Sequence, residues 1–184
     1  MLYRDAIDWL LRNWQFAISG ILILAFLFKK VNNYFDFREI IINHLRLFKT
    51  SPAQYMLYYG IPALLAWGTV NKRTIDEVVI NNVNIVITIL LSVLFATLST
   101  IAPLHGSEKE FEPLKAETIN AIMFESLLCV FTLVLSFVVI FSSGFGRTIF
   151  CIIVSWLIYY FVYVIVLQLL IVFKRLSKLL QHAN

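Results

Sequence analysis

The sequence predicts an all-α integral membrane protein: a helical bundle of four to five transmembrane helices joined to a basic amphipathic helix on the cytoplasmic side. Three observations predict it. Of 184 residues, 60% are hydrophobic and only 14% charged, whereas soluble domains run nearer half and a quarter. The apolar residues gather into five runs, and a helix crossing a ~30 Å hydrocarbon core needs about 20 such residues. Lys and Arg collect at the ends of the runs, where they orient a membrane protein. The whole chain, residues 1–184, reads as a single transmembrane domain.

The first run spans residues 9–28, carries Arg12 near its start and stops at Lys29-Lys30. Asp5 and Asp8 precede it and no A-x-A-like site follows, so it reads as a retained signal anchor. The second, 53–70 (AQYMLYYGIPALLAWGTV), is short and tyrosine-rich, and Gly60 and Pro62 interrupt it. It can span with a kink or form a re-entrant or interfacial element. The third, 85–104, is stopped by Pro103 and the polar stretch HGSEKEFEPLK, which reads as a solvated turn bounded by Pro103 and Pro113. The fourth, 119–141, ends at SSGFGR, and the fifth, 148–173, closes on Lys174-Arg175. The fifth either tilts or continues past the bilayer as KRLSKLLQ.

Between the first two runs, segment 34–49 places Tyr34, Phe37, Ile41, Leu45 and Phe48 at spacings of three and four, on one helical face. Arg38, Arg46 and Lys49 fall elsewhere. A basic amphipathic helix beside a span lies on the cytoplasmic headgroup surface or docks a soluble partner. With five spans, 10 of the 15 Lys and Arg fall on the side of this segment and of the C-terminal tail, which makes that side cytoplasmic. Without the first run the split becomes 12 against 3, and without the second 8 against 7, so the side of the N-terminus stays open.

The pI of about 9.1 is accounted for by these flanking residues and gives no reason to expect nucleic-acid binding. Cys129 and Cys151 lie in apolar runs without a C-x-x-C or Cys/His cluster, as expected of buried thiols. There is no H-E-x-x-H, G-x-S-x-G or P-loop motif. His44, His105 and His182 are scattered, and a solvated helix face accounts for Asp36, Glu39 and His44. No catalytic residue, metal or cofactor is expected. No internal repeat marks a secondary transporter.

Two kinds of polar residue inside the runs carry the functional expectations. Small and hydroxyl-bearing stripes recur at helical spacing: Thr88, Ser92, Ala96 and Thr100 in the third run; Ser126, Cys129, Thr132 and Ser136 in the fourth; Cys151, Ser155, Tyr159 and Tyr163, with Gln168, in the fifth. They pack helices within one chain or line a subunit interface or narrow pore. Glu125 is the one acid inside the fourth run, and an ionisable group in a span is by default a functional residue. Its place near the start of that run puts it one to two turns below the interface. There it either serves a structural role or, in a homo-oligomer, forms a ring or gate with Thr88, Ser92, Thr132 and Ser136.

A small multi-span protein with a basic cytoplasmic helix, no enzyme motif, and frequent Ile, Phe, Asn and Lys resembles the small membrane subunits of bacterial anti-phage defence systems, the Kiwa membrane subunits (KwaA) most of all. The resemblance covers the whole chain in outline and carries no residue motif. It implies a homo-oligomeric, multi-pass inner-membrane protein that recruits a cytosolic partner and responds to phage at the envelope. Contacts to that partner or to lipid are expected from Arg38, Arg46, Lys49, Lys174 and Arg175. The alternatives are an oligomeric pore-forming or depolarising effector and a small transporter.

Overall fold

The computed structural model describes residues 14–15, 18, 37–48, 52–105, 111–141 and 149–182. Every described element is a helix. In chain order they are α1 (Phe37–Phe48), α2 (Pro52–Tyr55), a π-helical turn (Met56–Gly60), α3 (Ile61–Lys72), α4 (Glu77–Ile101), α5 (Phe111–Phe141) and α6 (Ile149–His182). Three of them, α4, α5 and α6, are long and apolar enough to cross a membrane. Of the first predicted span, 9–28, Trp14, Gln15 and Ile18 are described, helical and exposed, and the rest lies outside the described residues.

The second predicted span is helical from Pro52 to Lys72 in three pieces. Tyr55, Gly60 and Ile61 all keep right-handed helical backbone, so Gly60 and Pro62 do not break the run. Pro62 has no N–H to give, and its ring crowds the carbonyl four residues earlier. The chain responds by inserting a residue: the Ile61 N–H bonds back to Met56 O, a π-type bond across five residues.

The long helices run past the predicted boundaries. α4 starts at Glu77 rather than 85 because Asp76 caps it: Asp76 Oδ1 accepts the Val79 N–H at 2.9 Å. α5 starts at Phe111 rather than 119, taking in half of the expected solvated turn. Pro113 is tolerated there because the first turn of a helix has no partners for its N–H groups, and Phe111 is fully buried. α6 continues through KRLSKLLQ to His182.

Contacts at both ends fix an up-down arrangement. Arg175 at the end of α6 meets Glu117 near the start of α5, and Lys115 donates to Leu104 O just past α4. At the other end the Ile75 N–H donates to Ser155 Oγ at 3.2 Å. Tyr59 bonds to Gln168 and Thr69 to Tyr163, so α3 and the turn before it run antiparallel to α6. The start of α2, the end of α4, the start of α5 and the end of α6 therefore lie at one end; α1 packs beside this half of α5, its His44 ring stacked on Phe124 and within electrostatic reach of Arg175.

The buried positions follow a heptad. In α4 they are Ile80, Ile87, Leu94 and Ile101; in α6, Ile158, Ile165, Val172 and Leu179. In α5 Thr118, Ile122, Glu125, Cys129, Thr132, Ser136 and Val139 alternate spacings of four and three. That is the spacing of left-handed knobs-into-holes packing. One apolar cluster joins α4, α5 and α6 at the α1 end, and a second joins α3, Ile75 and Ile80 to α5 and α6 at the other. Leu64, Trp67, Val86, Phe95, Phe137 and Leu170 remain exposed on the outer faces, as a hydrocarbon-facing surface requires.

The cap of α4 is sensitive to acid. Arg73 Nε donates to Asp76 Oδ2 at 3.0 Å, and that bond together with the Val79 N–H holds the Asp76 carboxyl below its usual range. A carboxyl with a lowered folded-state pKa stabilises fully above the unfolded value and loses its contribution as pH falls through the folded one. Thermal stability should therefore fall as pH drops below about 4, and Asp76→Asn, which keeps the cap oxygen, should flatten that dependence in a pH-resolved melt.

Candidate functional site: a polar seam between α5 and α6

The long helices carry their polar groups on two surfaces of opposite character. On α4, Thr88, Ser92, Ala96 and Thr100 lie on faces away from the Ile80–Ile87–Leu94–Ile101 ridge. Their hydroxyls are satisfied within the helix: Thr88 donates to Asn84 O, Ser92 to Thr88 O and Thr100 to Ala96 O. The expectation that this stripe packs helices within one chain is corrected. The large β-branched and leucine side chains, not the small ones, fill the contact with α5.

On α5 the stripe is interior. Ser126, Cys129, Thr132 and Ser136 are buried, with Ser126 bonded to Ile122 O, Thr132 to Leu128 O and Ser136 to Thr132 O. On α6, Ser155 and Gln168 are buried and Cys151 Sγ lies 3.9 Å from Ser155 Oγ. The structure thus separates Thr132 and Ser136 from Thr88 and Ser92, which the sequence grouped as one gate or interface.

Glu125 lies at the N-terminal end of the α5 stripe, one residue before Ser126. It is the fifteenth of the 31 residues in α5, not a residue near the helix start. Its position eight residues past Glu117 puts it about 12 Å further along the axis. It does not reach outward: the side chain is 0% exposed, and neither Oε has a hydrogen-bond partner among the described residues. Lys115 is engaged with Leu104 O, and Arg147 lies outside the described residues.

Gln168 stands opposite. It lies seven residues before Arg175 on α6, about 10 Å along the axis from the Arg175–Glu117 contact. Glu125 and Gln168 therefore sit within about one turn of each other on facing antiparallel helices. Gln168 is 1% exposed, its Nε2 donates to Tyr59 Oη at 3.2 Å, and its Oε1 has no partner among the described residues. Tyr59 comes from the π turn and lies in electrostatic reach of Glu125, Tyr55 and Tyr160. The π insertion matters here, because one extra residue rotates the helix by about 100° at the turn that carries Tyr59.

The sequence missed Tyr59 and misplaced His44. His44 is 2% exposed, stacked on Phe124 with ring centroids 3.9 Å apart, whereas a solvated face was expected. Glu39 is exposed as expected. Burial, reinforced by Arg175, pushes the His44 imidazole down to about 4. Lys174 is exposed, and Arg175 donates to Glu117 O at 3.2 Å and pairs with Glu117 Oε2 at 3.6 Å. Positions 38 and 46 are on α1, one turn either side of the exposed Ile42, while Lys49 and Asp36 lie outside the described residues. Among the described residues no group of His, Cys, Asp and Glu converges to hold a metal, and both cysteines are buried thiols.

Comparison with known proteins finds no matching family model, no similar curated protein and no similar solved structure.

Thr88→Leu and Ser92→Leu should leave the stability of the single chain within about 0.5 kcal/mol, as substitutions on an outer face do. Thr132→Leu, forced into the seam, should cost about 1–3 kcal/mol, read by denaturant unfolding in mixed micelles. Acid should also loosen α1. A histidine whose folded-state pKa is lowered favours folding fully above its unfolded value and loses that contribution as pH falls towards the folded one. A fluorophore on α1 should report undocking between about pH 6.5 and about 4, and His44→Phe, which keeps the stack, should abolish the transition.

Proposed function

We propose that the chain is a non-enzymatic inner-membrane subunit that oligomerises and acts as sensor and anchor for a cytosolic protein partner. The observation that carries this reading is the docking of α1. Its imidazole face is covered by Phe124, which fixes the helix to the bundle and leaves Glu39 and Ile42 facing outward. The same end holds the terminal turns of α6, where Lys174 and Lys178 are exposed. A helix held rigidly beside a basic terminus offers a preorganised surface, and preorganisation reduces the ordering cost of binding. The excess of Lys and Arg on this side supports a cytoplasmic orientation. The outline resemblance to Kiwa-type membrane subunits supports a place in anti-phage defence.

The rival reading, an oligomeric pore, draws on a ring of Glu125 side chains. Glu125 lies inside the bundle of a single chain, so a ring about a symmetry axis would require α5 and α6 to part. A small transporter would need further ionisable groups at depth, and Cys129 and Tyr59 are the ones in electrostatic reach of Glu125.

Reversing charge at Arg38, Arg46 and Lys49 together should lower co-purification of a cytosolic companion by about tenfold or more, with membrane insertion unchanged. Undiminished recovery of every companion by the inserted triple variant sinks the docking role.

A further inference from the structure

The seam between α5 and α6 holds an imbalance of donors and acceptors. Both carboxyl oxygens of Glu125 and Oε1 of Gln168 are buried without a hydrogen-bond partner among the described residues. With Nε2 donating to Tyr59 Oη, the amide presents Oε1 as its end without a partner. Buried polar atoms in native proteins find partners. Three acceptors within about one helical turn need a donor that the described side chains do not provide.

The surroundings narrow what that donor is. On α5, Lys115 is bonded to Leu104 O, Glu117 is paired with Arg175, and Cys129 is buried one turn from Glu125. On α6, besides Arg175, the titratable groups near this level are Tyr163, bonded to Thr69, and Tyr160, and the π turn and α2 bring Tyr59 and Tyr55. α1 brings His44 and the exposed Glu39, with His44 against Phe124. α4 carries a single ionisable residue, Glu77, at its far end. None of these places a cation beside Glu125. A bound Ca²⁺ or Mg²⁺ would need about six oxygen ligands, more than Glu125, Gln168 and Tyr59 supply. A proton needs only one acceptor.

We infer that Glu125 is a proton-binding site, a neutral carboxylic acid whose O–H donates to Oε1 of Gln168 directly or through one water. The proton is bound and released as such; no bond other than O–H forms or breaks. With it in place the donors run in one direction across three segments, from Glu125 on α5 to Gln168 on α6 and on to Tyr59 in the π turn. Without it the seam holds an uncompensated charge between packed helices. The proton on Glu125 thus ties α5, α6 and the π turn together, independently of any docking role for α1.

The test is infrared difference spectroscopy on the full chain in lipid nanodiscs at pH 7. A protonated carboxyl has a carbonyl stretch separate from that of a carboxylate, and the Glu125→Gln variant identifies the carboxyl from which it comes. The wild type should show such a band, sensitive to deuterium exchange, and Glu125→Gln, which preserves shape, should lose it. Gln168→Met should shift the band towards that of an unbonded acid. Should that variant fail to fold, Tyr59→Phe should move the band by a smaller amount, because freeing Nε2 changes the polarity of the amide. Absence of the band in the wild type, its loss on adding sodium or potassium salts, or its survival in Glu125→Gln overturns the proton site. A band indifferent to both partner substitutions overturns the link to Gln168.

Discussion

Hydrocarbon offers no hydrogen bonds, and the described structure is organised by that constraint. Every polar group placed on a long helix must find its partner inside the protein or within its own helix. The serines and threonines of α4 and α5 take the second course, each returning its proton to a carbonyl one turn back. A hydroxyl satisfied this way is nearly indifferent to what surrounds it. The same residue types can therefore face outward on α4 and inward on α5. Glu125 and Gln168 have no such local remedy, since their polar ends stand too far from the backbone of their own helix. Gln168 is answered on one side by Tyr59 from the π turn, and Glu125 lies in the same α5–α6 seam without a partner among the described residues.

Helix packing follows from the same constraint. Between apolar helices in an apolar solvent, association depends on close packing and a few interhelical hydrogen bonds rather than on expulsion of water. The heptad of buried Ile and Leu on α4 and α6 supplies the packing. The bonds between Gln168 and Tyr59, Thr69 and Tyr163, and Ile75 and Ser155 supply direction, each pinning α6 to a different level of its neighbour. A polar residue at one heptad position commonly fixes register at some cost in stability. Gln168 holds such a position.

Membership of the membrane class and the existence of the third, fourth and fifth helices were legible, because uncharged apolar runs of that length are stable as helices in hydrocarbon and seldom occur in soluble chains. The ends of the helices were not. Asp76 and Phe111 extend α4 and α5 into segments whose charges read as loop, and hydropathy reports the bilayer rather than the cap. Which face of α4 is interior was hidden for a different reason. In a soluble helix the polar face marks the outside, but here both faces are apolar. The small residues Thr88 and Ser92 therefore stand out in the sequence, and the repeat of Ile80, Ile87, Leu94 and Ile101 does not. The partners of Glu125 were illegible because Tyr59, Gln168 and Glu125 come from three segments separated by long stretches of chain. The burial of His44 was hidden because an imidazole in a polar segment reads as solvated until an aromatic partner from another helix covers it.

The π turn connects these observations. Proline at position 62 removes one backbone donor and crowds a carbonyl, and an α-helix at that point would have to kink. Widening the turn by one residue avoids the break and shifts the phase of the residues before it by about 100°. Ala66 and Val70 join the second apolar cluster while Tyr59 accepts from Gln168. Insertions of this kind cost hydrogen-bond geometry and are found most often where function requires a side chain to be aimed. In this chain the side chain so aimed is the hydroxyl that accepts from the amide opposite Glu125, which makes the π turn part of the polar seam rather than a defect in the helix that carries it.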